Sequence, residues 1–168
     1  MRRGIRLGVD VGQARVGLAA SDPDGILATP VETVARDRDG RKDIRHIAQI
    51  ARDRDAIEIL VGLPIGLSGR EGEAADGARA WARELKKELA STGVRLVDER
   101  LTTVDAHRSL RDSGLRMHEH RAHIDQQAAV LILQVALDSE RLTGQPAGEL
   151  VGGRKPRTKR SAHPKGEE

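Results

Sequence analysis

Three acids stand where their chemistry is conspicuous. Asp10 interrupts the apolar run that begins at Ile5, although Asp is depleted in strands. Glu99 lies near the end of VRLVDER, Val94 to Arg100, and Asp125 opens the apolar stretch IDQQAAVLIL. If the three converge, like charges about 4 Å apart repel by on the order of 4 kcal/mol per pair at an effective dielectric near 20, and something positive must offset them. Oxygen-only donors suit a hard cation, Mg²⁺ or Mn²⁺, that keeps coordination sites open for water and phosphate. Two such ions roughly 4 Å apart would activate a water and stabilise the leaving oxygen in phosphodiester cleavage. Arg15 and Arg100 follow two of the acids closely, and Arg70 lies in a glycine-rich loop. All three can neutralise the scissile phosphate or its neighbours. With no Cys in the chain and no convincing Ser-His-Asp order, nucleophilic side-chain catalysis has little to stand on.

Two of the acids also have a quieter reading. Asp10 can hydrogen-bond the turn at Gly12 to Arg15, and Asp125 in the first turn of a helix is favoured by the helix dipole alone. His118, His120 and His123 cluster ahead of it, but their spacing matches no standard ligand pattern and no cysteine assists. Solvated or phosphate-facing rings are the better reading of these histidines.

The elements that must position the acids follow from hydrophobic period. Strand alternation puts Ile5, Leu7, Val9 and Val11 on one face and Arg6, Gly8, Asp10 and Gly12 on the other, so the acid stands on a face cleared by glycine. Val16 to Ala20 and Ile26 to Val34 read as second and third strands, joined through Asp22-Pro23-Asp24-Gly25. Such short connections make an antiparallel meander. Ile44, Ile47, Ala48 and Ala51 mark an amphipathic helix, and Ile57 to Gly62 a buried strand reached through a crossover. The loop Pro64 to Gly72 precedes a helix marked by Ala75, Ala78, Ala82, Leu85 and Leu89, in which Trp81 reads as a packing residue. After the fifth strand, Thr102 or Thr103 can cap a helix with Asp105 near its start, and residues 112–123 are polar. The last helix is expected from Ile124 to about Leu142, closed by Gly144. The economical fold is α/β, one mixed five-stranded sheet flanked by helices on both faces.

Composition narrows the partners. A chain of 168 residues fits one domain, expected over residues 1–144, with 145–168 as a basic, disordered tail. From Gly152 onward there are six Lys or Arg against two Glu, and the formal +3 of the whole leaves residues 1–151 at −1. Such a tail can grip nucleic acid through phosphates, or can simply be solvated. There is no Phe or Tyr and a single Trp, which disfavours single-strand binding modules that stack bases on aromatic rings. No apolar run approaches the length of a membrane span, and a soluble cytoplasmic protein is expected.

GVDVGQARVGLAASD, VGLP followed by GREG, VDERLTT and HIDQQAAVLIL occur in this order, and together they resemble the YqgF (RuvX) family. The resemblance runs from about Leu7 to Leu142. It implies an RNase H-like fold with sheet order 3-2-1-4-5, and a nuclease that matures the small-subunit ribosomal RNA precursor, resolves Holliday junctions, or does both. It also implies that the family's acids are Asp10, Glu99 and Asp125, and that Arg121 and His123 stand for the basic residues ahead of the last acid. Two departures touch substrate contacts: only Arg15 is basic before the glycine of the first motif, and Leu67-Ser68-Gly69-Arg70 replaces a polar loop. The expected activity is therefore a Mg²⁺- or Mn²⁺-dependent endonuclease on structured RNA or branched DNA, with a homodimer where junctions are cut. Two alternatives remain beside it: a regulator that binds nucleic acid without cutting, and a phosphotransferase of the actin and sugar-kinase type, for which the chain has little room.

Overall fold

The alternation that sends Leu7 and Val9 one way and Gly8 and Asp10 the other places the first strand inside a sheet covered on both faces. The computed structural model describes residues 1–101 and 118–152, without the side chains of 118–123. Its elements are β1 (Arg6–Val11), β2 (Arg15–Ser21), β3 (Ala28–Ala35), α1 (Lys42–Asp53), β4 (Glu58–Leu63), α2 (Glu73–Glu88), β5 (Gly93–Asp98), a 3-10 turn (Glu99–Leu101), α3 (His118–Thr143) and β6 (Glu149–Leu150). The strand order is β3-β2-β1-β4-β5-β6. β1, β2 and β3 form the expected antiparallel meander, while β4 pairs parallel with both β1 and β5.

Two cores result. Leu7, Val9, Ile47, Trp81 and Leu85 belong to the layer between the sheet and α1 and α2. Ala19, Leu60, Ala129, Ile132 and Leu133 belong to the layer under α3. Small and branched side chains fill both, as a chain almost without aromatics requires. Trp81 is packed, 3% exposed, and its indole N–H donates to Asp43 Oδ2 at 3.1 Å. Among the described residues no helix is long and apolar enough to cross a membrane.

The structure departs from expectation at the ends of elements. The sheet has six strands rather than five: β6 pairs antiparallel with β5, and Val151, 8% exposed, joins the core while its N–H donates to the Val94 carbonyl at 2.8 Å. Folded chain thus continues past residue 144, and a two-residue strand is too short to show a period. Residues 153–168, the rest of the expected tail, lie outside the described residues, as do Thr102, Thr103 and Asp105. α3 starts at His118, so Asp125 is not in its first turn and the dipole no longer accounts for it. The polar opening HEHRAH hides the helix because it lacks apolar periodicity. β3 begins at Ala28, because the Asp22 carboxylate accepts the backbone N–H groups of Asp24, Ile26 and Leu27 and holds Ile26 and Leu27 in the turn. Those bonds, Leu27's foremost, lower the Asp22 pKa from its ordinary value. The outermost β3 carries Pro30 next to a register shift against β2, a placement an edge strand tolerates.

At the end of β1 opposite Asp10, charge replaces apolar packing. Arg2 reaches Glu140 and Glu58 at 2.9 Å each, Arg95 reaches Glu58 at 2.9 Å, and Arg6, 1% exposed, reaches Glu140 at 3.2 Å. This network ties the N-terminus, β1, β4, β5 and the last turns of α3 together. It fixes how α3 lies across the sheet.

Candidate active site at the sheet edge

Glycines make the site's floor. A Cβ on Gly8 would fall 2.7 Å from the Ala129 carbonyl oxygen and 2.6 Å from Leu133 Cβ, so α3 presses directly on β1. Gly17 of β2 is the register partner of Asp10, and a Cβ there would lie 2.1 Å from the Asp125 carbonyl oxygen. The backbone that carries Asp125 therefore rests beside Asp10. On the other flank, β4 pairs with β1 up to Val9 opposite Val61, one step before the level of Asp10 and Gly62. A Cβ on Gly62 would lie 2.6 Å from Glu99 Oε1. The Glu99 carboxylate thus lies over the strand beside Asp10, delivered by the 3-10 turn at the end of β5.

Three acids from β1, the end of β5 and α3 thereby come to one side of the sheet. All are buried: Asp10 is 1% exposed, Glu99 2% and Asp125 5%. Buried carboxylates are costly unless something positive or hydrogen-bonding meets them. Arg15, across the turn from Asp10, brings its Nε to 3.5 Å from Asp125 Oδ2. As a donor set, three carboxylates fit a hard divalent cation and little else. Among the described residues, no three His, Cys, Asp or Glu side chains are gathered in a group that could hold a metal ion as the protein stands.

The other expected contacts are placed less uniformly. Arg100 turns back onto Asp98, with Nη2 at 2.6 Å from Oδ2, and this pairing holds the Asp98 carboxyl below its ordinary range and raises the guanidinium. A Cβ on Gly69 would sit 3.5 Å from Arg100 Nη1, so the hairpin Ile65 to Glu71 stands beside it. Arg70 is exposed on that hairpin. Arg121 and His123 precede Asp125 on α3, and their side chains, like those of His118 and His120, lie outside the described residues. What the sequence reading missed is the work of Gly17 and Gly62. The signal was present, since a glycine inside an apolar strand marks close approach of another backbone or group.

The family model RuvX: Holliday junction resolvase matches residues 4–139. A protein of Streptomyces coelicolor named "Putative pre-16S rRNA nuclease" is 55% identical over 151 residues, covering 90% of each chain. One of the same name from Mycobacterium bovis is 58% identical over 140 residues, 83% of this chain and 81% of that protein. Among solved structures, T. thermophilus RuvC in complex with a Holliday junction substrate superposes with a TM-score of 0.50 at 14% identity, over 83% of this chain and 96% of that one. At that identity the likeness speaks for the fold, which is the RuvC-like RNase H fold.

Proposed function

This chain belongs to the RuvX family, and from that premise we propose that it is a divalent-metal-dependent nuclease hydrolysing phosphodiester bonds in structured nucleic acid, with the 16S ribosomal RNA precursor as substrate. The observation that carries the reading is the glycine floor of β1, β2 and β4, which lets buried acids of three separate elements share one side of the sheet. Asp10, Glu99 and Asp125 would hold Mg²⁺ or Mn²⁺, two ions in the full complement, and the bound metal supplies an activated water and charge stabilisation at the leaving oxygen. Arg15 anchors Asp125 and offsets its charge. Arg70 stands exposed at the mouth to meet a phosphate, and Arg100 joins it by exchanging Asp98 for phosphate oxygens. Arg121 and His123, carried on the first turns of α3, would add further phosphate contacts. A ribosomal precursor places this work in the cytoplasm.

The family description favours branched DNA as a second substrate. Resolving a junction takes paired cuts, hence two copies of the chain. One experiment addresses both: ribosomal precursor and four-way DNA junctions are offered to wild type and Asp10→Asn, with and without Mn²⁺. Cleavage should need the metal and vanish in the variant, while circular dichroism and melting temperature stay unchanged. Identical cutting by a contaminant-free Asp10→Asn protein removes the assignment.

A further inference from the structure

A second feature lies on the other face of the same sheet edge. Two cavities, about 180 and 230 Å³, share Arg36, Arg38 and Gly77 and so form one groove between the end of β3 and α2. Both arginines are braced on the turn that follows Asp10: Arg36 Nη1 donates to the Gly12 carbonyl at 2.8 Å and Arg38 Nη2 to that of Gln13 at 3.2 Å. At 3.3–3.6 Å per extended residue, Gly12 lies roughly 7 Å along the chain from Asp10. The groove begins where the candidate active site ends.

Two buried polar atoms behind its walls lack a hydrogen-bond partner. Arg36 Nε is buried without a hydrogen bond, 3.5 Å from Asp43 Oδ2. Asp43, 2% exposed at the wall of the larger cavity, accepts the Trp81 indole N–H at Oδ2 and leaves Oδ1 without a hydrogen-bond partner. Burial first, then the charge of Arg38, works against the charged form of Arg36, and Asp43 opposes them. Gly77 adds an independent sign. Glycine inside a helix is destabilising and usually answers a steric need, yet nothing lies within 4 Å of where its Cβ would be. The space above it is open, and it faces two arginines.

We propose that this groove binds a phosphate of the nucleic-acid strand being cut, gripped between Arg36 and Arg38 above Gly77, so that the strand crosses the sheet edge from the acids to the arginines. The identity of the strand rests on the nuclease reading; the groove itself does not. A phosphodiester supplies acceptor oxygens to two guanidinium groups that are each held in place by a backbone carbonyl of the turn after Asp10.

The test is binding of labelled precursor RNA to the full chain in EDTA, where cutting is suppressed, alongside calorimetry with inorganic phosphate. Arg38→Ala should weaken RNA binding and lower the slope of log affinity against log salt by about 1. Gly77→Glu keeps a good helix former and puts a carboxylate in the groove; it should weaken binding by about tenfold or more, and Gly77→Gln by less. Phosphate alone should bind only in the millimolar range and be displaced by RNA. Folded variants with unchanged affinity and slope, or micromolar phosphate binding that RNA does not compete, overturn the proposal. Cutting by wild type with unaffected groove variants discards the groove and keeps the nuclease; groove-dependent binding without metal-dependent cutting does the reverse.

Discussion

A methyl group at Gly17 has nowhere to go: its carbon would lie 2.1 Å from the Asp125 carbonyl oxygen. Gly17→Ala must lift α3 together with its acid, and overpacking of this kind costs about 1–3 kcal/mol. Urea denaturation should show that loss, and cleavage should fall further than the stability loss explains, because the carboxylate moves relative to Asp10. Gly77→Ala is the matched control, since its Cβ meets nothing and helix propensity predicts a gain of up to about 1 kcal/mol. At this scale Asp10 stood out in the sequence, because a carboxylate in an apolar strand asks for a reason, whereas Asp125 needed the family resemblance beside it. The glycines opposite signalled close approach, but which backbone lands on them is set by tertiary packing that the sequence does not display. Nor does it display the pairing of Arg100 with Asp98, which exists only because β5 stops at Asp98 and turns.

Between elements, the charge network at the far end of β1 has a measurable signature. The hydrogen bond from Arg2, ahead of other causes, holds the Glu140 carboxyl at about 2 against an ordinary 4.5. A depressed carboxylate stabilises the fold fully above its unfolded value and loses that contribution as pH falls through the folded one. Stability should therefore fall from about pH 4.5 toward 2, and Glu140→Gln should flatten that part of the curve. The same variant leaves the buried Arg6 facing a neutral partner and should cost roughly 3 kcal/mol at neutral pH, read from denaturant midpoints. The β6 segment makes a second test. A chain ending after Gly144 should be about 1.5–3 kcal/mol less stable than one ending after Gly152, through loss of the burial of Val151. Helices and long strands showed themselves in the sequence through their period. The start of α3 and the whole of β6 did not, one being polar throughout and the other too short.

Across the whole molecule, the ends of the central strands divide the labour. One end is locked by arginine–glutamate pairs, and the other gathers acids on one face and arginines on the opposite one. Short connections made the antiparallel meander readable and helical crossovers the parallel strands, while the sheet order came with the family resemblance. Which face each charged group meets was not readable, since it depends on how α2 and α3 settle.

The rims of the sheet limit how copies of this chain can associate. Growth by adding a neighbour's strand would start either from β3, whose Pro30 withholds an amide, or from β6, which offers two residues. Among the described residues neither makes a good seam, and there a pairing of subunits would run through helices or loops rather than a shared sheet. Both cutting edges would then stay open to their substrate.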